Sequence, residues 1–255
     1  MLFSSLPFLF YFLPCALGLY FLVPGRLKNA ALLLCSLVFY AWGEPRFVLF
    51  MAAAILQGYA AARLMERHPT RRRLLLTLSV VLSLGMLAYC KYADFLISGF
   101  NAVTGLSVPL LRMALPIGIS FYTFQILSYV IDVYRDTVRV QKNPFYVALY
   151  IALFPQLVAG PIVRYSTVAE EIRNRVHSWE LLSEGACRFV QGLAKKLLLA
   201  NTFAVVADNI YSLTEAGHQL VKIPVTLAWL GSFAYTLQIF LTFPAIRIWP
   251  SASER

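Results

Sequence analysis

An all-α, polytopic transmembrane helical bundle is the fold this sequence predicts, and three observations predict it. Of its 255 residues 60% are hydrophobic and 13% charged, far more apolar side chain than one soluble core of this length needs. The apolar residues fall into runs at 6–23, 30–42, 47–62, 74–90, 114–131, 145–163, 197–211 and 225–243, separated by short polar stretches. Several of the 13 prolines and 13 glycines, Pro14, Pro155 and Gly160 among them, fall inside those runs, and no long alternating pattern accompanies them. That combination favours helices over a β-barrel, because a helix satisfies its own backbone in lipid.

Taken in order, run 6–23 lacks a preceding basic region, and Cys15 follows Leu13 and Pro14 rather than a small residue. It is therefore expected to stay as an uncleaved first helix rather than serve as a leader. Gly43, Glu44, Pro45 and Arg46 have tight-turn composition, so runs 30–42 and 47–62 read as a helical hairpin. Arg26, Lys28, Arg63, Arg67, Arg71, Arg72 and Arg73 sit in short loops beside apolar runs, where the positive-inside rule places them in the cytoplasm. The net charge of +10 is then topological, and no nucleic-acid partner is expected. By the same rule 24–29, 63–73 and 132–143 face the cytoplasm, while the N-terminal tail, 43–46 and about 100–112 face outward. Lys91 and Asp94, three apart, are placed to pair near the outer interface or to snorkel.

Run 145–163 resists that count. A full crossing would put Arg164, Arg173, Arg175, Arg188, Lys195 and Lys196 outside, against the charge rule. Its stretch FPQLVAGPIVRY also carries Pro155, Gly160 and Pro161, which cost a continuous helix its hydrogen bonds. A re-entrant or broken element is the preferred reading, with a proline-kinked span as the alternative. Residues 166–196 alternate charged and apolar positions at helical spacing and predict a surface helix along the cytoplasmic interface, anchored by Trp179. The four cysteines have neither CxxC nor zinc spacing, so no metal site is expected.

Run 114–131 continues into the most informative stretch, LPIGISFYTFQILSYVIDVYR. Gly118, Tyr122, Gln125, Ser128 or Tyr129, Asp132, and Arg135 or Asp136 follow one another at steps of three and four, which puts them on one helical face. Ile119, Phe121, Phe124, Ile126, Leu127, Val130 and Ile131 remain for lipid or neighbouring helices. Polar groups in a membrane are expensive, and an ionisable one points to function with a named partner, here Arg135 or Arg164 for Asp132. Interhelical hydrogen bonding accounts for single members of such a set, but does not require a stripe this continuous.

The stretches LLLCSLVFYAWGEPRFVL, YCKYADF, LPIGISFYTFQILSYVIDVYR, FPQLVAGPIVRY and GLAKKLLLAN resemble, in order and spacing, the membrane-bound O-acyltransferase family. Within it they are most similar to bacterial alginate O-acetyltransferases, which are related to the D-alanyl transfer protein of teichoic acids. The resemblance covers about 1–240, the N-terminal part of such a domain, and leaves 241–255 as a divergent or out-of-frame tail. It implies a funnel-shaped bundle in the bacterial cytoplasmic (inner) membrane, through which an acyl group crosses. A cytoplasmic donor such as acetyl-CoA would act as cosubstrate with no bound cofactor, and an exported polysaccharide would receive the acetyl group, directly or through a periplasmic acetyltransferase partner. Membrane lipid surrounds the whole. Tyr122, Gln125, Tyr129, Asp132, Gln156 and Arg164 are the positions expected to line the path.

The same resemblance exposes a departure. Beyond YTLQIF family members carry a polar continuation and then the motif ending in the catalytic histidine, whereas Phe240 here is followed by LTFPAIRIWPSASER. Acyl transfer to a hydroxyl needs a base for its proton, a role suited to imidazole. His68, His177 and His218 all fall in polar segments away from the stripe, so no catalytic residue is assigned. The stretch Gly118 to Tyr122 fails the G-x-S-x-G pattern, and no Walker A loop or dinucleotide fingerprint is present. The expectation is a truncated acyltransferase, inactive alone. Two other classes compete: a non-catalytic membrane subunit or pseudoenzyme that binds an acyl carrier, and a transporter, which the lack of internal repeats disfavours.

Overall fold

A computed structural model of the chain describes residues 5–43, 45–112, 116, 118–157, 163–173, 178–215 and 224–246. These residues form helices and the turns between them, in two compact units, Met1–Arg175 and Val176–Arg255. Among them, Pro45–Arg67, Pro69–Thr104, Trp179–Ser212 and Val225–Thr242 are long and apolar enough to cross a membrane, with Phe8–Leu22 a shorter apolar helix. The protein is a multi-pass, all-α membrane protein.

In the first unit α1 spans Phe8–Leu22 and opens with a π-turn over Phe8–Phe12, closed by the Leu13 N–H on the Phe8 carbonyl. Pro14 follows at once; it has no N–H to give and its ring crowds the preceding turn, which explains the local widening. Helices α2 (Lys28–Gly43), α3 (Val48–Arg67) and α4 (Arg72–Thr104) come next. Helix α4 overruns the expected end at Cys90 and continues to Gly105, whose φ of 72° provides a left-handed cap. At 33 residues it measures about 50 Å, beyond a hydrocarbon core of about 30 Å. Lys91 and Asp94 do not pair on it. Asp94 Oδ1 accepts instead from the Leu111 N–H at 2.7 Å, and Lys91 lies 5.3 Å from the Tyr92 ring centroid. Asn101 adds two hydrogen bonds to the Val108 backbone, so the segment after α4 is tied back onto it.

Helix α5 (Ile119–Tyr134) sits in the middle of this unit, packed against α3, α4 and α6 (Pro144–Ala152). Asn143 caps α6 by accepting the Phe145 N–H at 3.0 Å, and Pro144 fills the first helical position, where no N–H is needed. The run then breaks at Leu153, whose ψ of 115° leaves the helical range, and a short helix α7 (Phe154–Leu157) follows. Pro155 cannot donate to the Ile151 carbonyl, so a continuous helix would be interrupted here. The released Phe154 N–H is received by the buried Ser36 hydroxyl of α2 at 3.2 Å, which in turn donates to the Leu32 carbonyl at 2.8 Å. The broken element read from the prolines is therefore present at 153; Gly160 and Pro161 lie outside the described residues. Phe8 and Phe12 of α1, Phe39 of α2 and Phe154 of α7 meet in stacked, tilted and edge-on pairs about 5–6 Å apart and hold the break in place.

The single surface helix expected over 166–196 is not formed. Its first part is α8 (Tyr165–Arg173), joined to α2 by Asn29 Nδ2 donating to the Ile172 carbonyl at 3.0 Å. The rest belongs to the second unit as α9 (Trp179–Ala194), which passes through a π segment at Lys195–Ala200 into α10 (Asn201–Glu215). Ser178 caps α9 by accepting the Leu181 N–H at 3.1 Å, a local start signal that overrides the longer periodicity. Trp179 begins this helix, exposed, and heads a membrane-length span. Helix α11 (Val225–Ile246) packs on α10 where Gly231 meets Ile210, and a Cβ at 231 would stand 3.0 Å from Ile210 Cγ2. The last residues, 247–255, lie outside the described set.

Candidate functional site: the buried polar face of α5

The stripe begins at Gly118, whose φ of 75° only glycine adopts without strain. A Cβ there would lie 2.6 Å from the Leu157 carbonyl oxygen, so the start of α5 abuts the end of α7 directly. Along the helix Tyr122, Gln125 and Tyr129 are at most 1% exposed and Asp132 is 8% exposed. The other side of α5 is buried as well. Ile119, Ile126 and Val130 belong to the core, Gly58 of α3 leaving just enough room for Ile126, while Phe124 remains exposed. Neighbouring helices, more than lipid, cover the apolar face.

Each polar group meets a different element. Tyr122 lies near Tyr40 of α2 and Cys90 of α4. Gln125 Nε2 approaches Gln156 Oε1 of α7 at 3.5 Å, a weak contact by length, and Gln125 Oε1 is buried with no hydrogen-bond partner among the described residues. The Tyr129 hydroxyl accepts the Gln141 N–H at 3.1 Å. Gln141 Nε2 donates to the Tyr165 hydroxyl at 2.8 Å, and its Oε1 accepts the Asn143 N–H at 3.2 Å. The Tyr165 ring stands edge-on to both Tyr129 and Tyr150, at 5.0 and 5.2 Å between centroids. Tyr150 then donates to the Val163 carbonyl at 2.7 Å. The chain on both sides of the break is thus fastened to α5.

Asp132 lies near Tyr150, and its Oδ2 is buried with no hydrogen-bond partner among the described residues. Neither Arg135 nor Arg164 pairs with it among the described residues; both guanidinium-bearing residues are exposed. The structure therefore brings Tyr122, Gln125, Tyr129, Asp132 and Gln156 together and leaves Arg164 at the margin. Gln141, Tyr150 and Tyr165 were not singled out from sequence. Tyr165 closes the FPQLVAGPIVRY stretch, and that was the available signal.

Just beyond the stripe, Arg72 clamps the end of α5. Its guanidinium donates to both Asp136 carboxylate oxygens at 2.7 and 2.9 Å and to the Val133 carbonyl at 2.9 Å. Asp136 holds a left-handed φ of 58°, and the Arg72 guanidinium keeps its carboxyl below the usual carboxylate value.

Chemically, the face offers buried hydrogen-bond acceptors and, among the described residues, no nucleophile–base pair. His68 is exposed, and His177 and His218 lie outside the described residues. A probable alginate O-acetylase AlgI of Pseudomonas putida is 41% identical to this chain over 253 residues, which is 95% of the chain and 50% of that protein. The chain is homologous to the alginate O-acetylases. A probable alginate O-acetylase AlgI of Pseudomonas aeruginosa is 40% identical over 254 residues, 95% of this chain and 47% of its own length. A peptidoglycan O-acetyltransferase of Helicobacter pylori is 28% identical over 277 residues, covering 95% of the chain and 51% of that protein. The chain spans about half the length of the curated relatives it matches. No family model and no solved structure matches it. The likeness to alginate O-acetylases read from the motifs is thus supported along nearly the whole chain.

Proposed function

We propose that this chain forms one wall of the acyl path in a bacterial inner-membrane O-acetyltransferase that acetylates an exported cell-surface polysaccharide such as alginate. The observation that carries the reading is the identity of about 40% to alginate O-acetylases over 95% of the chain. The buried face of α5 supports it from the side of chemistry. Gln125 Oε1 and Asp132 Oδ2 are buried acceptors with no donor among the described residues, and groups of this kind inside a membrane protein suggest a ligand or water path rather than packing alone.

In this reading Tyr122, Gln125, Tyr129, Asp132 and Gln156 line the path, with Arg164 at its edge. An acetyl donor such as acetyl-CoA arrives from the cytoplasm and the acceptor receives the acetyl group outside, with a periplasmic acetyltransferase as partner. The base that takes the hydroxyl proton is supplied by the half of the relatives' length that this chain does not span.

A hybrid tests the proposal. These residues replace the matching portion of the Pseudomonas putida protein in cells that lack their own alginate O-acetylase, and acetate is measured on the exported alginate. Restored acetylation is expected. A hybrid that inserts at normal levels yet leaves alginate bare contradicts it. Acetylation of peptidoglycan instead would move the acceptor toward that of the Helicobacter pylori relative.

A further inference from the structure

The end of the first unit where α3 finishes, α4 starts and α5 finishes carries more positive charge than its carboxylates offset. Glu66 is paired with Arg63, and Asp136 is held by Arg72. Arg67, Arg71, Arg73, Arg135, Arg139 and Lys142 remain exposed, with no acidic partner among the described residues. The fold collects them. Arg72 draws the start of α4 onto the end of α5, and the Tyr59 hydroxyl donates to the Lys142 carbonyl at 2.8 Å, bringing the segment after α5 against α3.

Arg71 and Arg73 also stand at the positive end of a 33-residue helix, where the backbone dipole disfavours cations. Orientation in the membrane needs only an excess of basic residues, not six unpaired ones gathered by specific hydrogen bonds. A second feature adjoins the charge. Arg71, Leu74, Leu78 and Val81 follow at steps of three, four and three, so they share one face, and the three apolar side chains are 65%, 53% and 60% exposed.

We propose that this corner is a binding site for an anionic phospholipid. The headgroup phosphate meets Arg71 at the head of that face, Arg73 and Arg139 add positive charge at the same end of the unit, and an acyl chain runs along Leu74, Leu78 and Val81. A soluble phosphate compound would satisfy the cations but not the apolar stripe that starts at the next turn, whereas a lipid satisfies both. The site does not depend on the acetyltransferase reading and stands or falls separately.

The test is native mass spectrometry of the full chain in neutral detergent, counting phosphatidylglycerol and phosphatidylcholine retained from an equimolar mixture. Wild type is expected to favour phosphatidylglycerol by about tenfold or more. The preference should collapse at about 0.5 M salt. The triple variant R71Q/R73Q/R139Q should lose it, with Arg72 left in place to hold α5, and L74S/L78S should weaken retention of the lipid. Pyrophosphate should displace little of it. Equal retention of the two lipids by wild type overturns the proposal, as does an undiminished preference in the triple variant. So does a pattern in which pyrophosphate competes fully and L74S/L78S has no effect, which assigns the cations to a soluble phosphate. If the triple variant fails to fold, the wild-type preference and its salt dependence still decide.

Discussion

Replacing Gly118 with alanine tests whether α5 really begins against the broken helix. Two costs are superimposed there. The left-handed φ of 75° charges any L-residue about 1–2 kcal/mol. The new Cβ would also stand 2.6 Å from the Leu157 carbonyl oxygen, a backbone atom that cannot rotate away. Overpacking of that kind adds about 1–3 kcal/mol, for a total of about 2–5. Gly105 supplies the control, because its φ of 72° is nearly the same but a Cβ there meets nothing within 4 Å. Gly105→Ala should therefore pay the strain alone. Both variants are compared with wild type by reversible denaturant unfolding in micelles, followed by far-ultraviolet circular dichroism. Gly118→Ala should be the less stable of the two by at least about 1 kcal/mol. If it unfolds together with Gly105→Ala, the close approach of α5 to Leu157 is wrong, and with it the juxtaposition of the stripe and the break.

Other variants probe the same architecture. Ser36→Ala leaves the Phe154 N–H at the break without its acceptor, and should cost about 1–3 kcal/mol in the same unfolding assay, while Ser36→Thr retains the hydroxyl and should recover part of the loss. Gln141→Leu keeps the backbone N–H bond to the Tyr129 hydroxyl but removes the side-chain bonds to the Tyr165 hydroxyl and the Asn143 N–H; it should destabilise by a similar margin of about 1–3 kcal/mol and speed protease cleavage between 153 and 165. The Asp136 carboxyl has a lowered pKa in the folded protein, so its contribution is present above the ordinary value of 3.8 and is lost as pH falls through the lowered one. Melting temperature should accordingly be flat near neutrality and fall below about pH 4, and Asp136→Asn, which tolerates the same backbone conformation, should remove this part of the acid sensitivity.

Much of the architecture could be read in the sequence because it is local. The stripe from Tyr122 to Asp132 follows from side-chain spacing on one helix, and the interruption near Pro155 follows from a missing N–H. What sequence missed depends on distant residues meeting. Gln141 joins Tyr129 and Tyr165 from positions 12 and 24 residues away, a relation no periodicity encodes. The length of α4 was underestimated because hydropathy drops after Cys90 while nothing breaks the helix before Gly105. The helix over 166–196 was drawn as one because its amphipathic pattern is continuous, yet Ser178 starts a new helix within it. Charge alone points Asp132 to an arginine partner; the fold leaves both candidate arginines exposed and Asp132 Oδ2 without a hydrogen-bond partner among the described residues.

The most direct test of the central claim is the acetate content of alginate made by the Pseudomonas putida hybrid when Gln125 is changed to Leu or Asp132 to Asn. If the buried face of α5 lines the acyl path, acetylation falls by about tenfold or more, as loss of a positioned hydrogen bond in a buried site would give, while the amount of inserted protein is unchanged. Full acetylation by both variants would show that the stripe merely holds helices together.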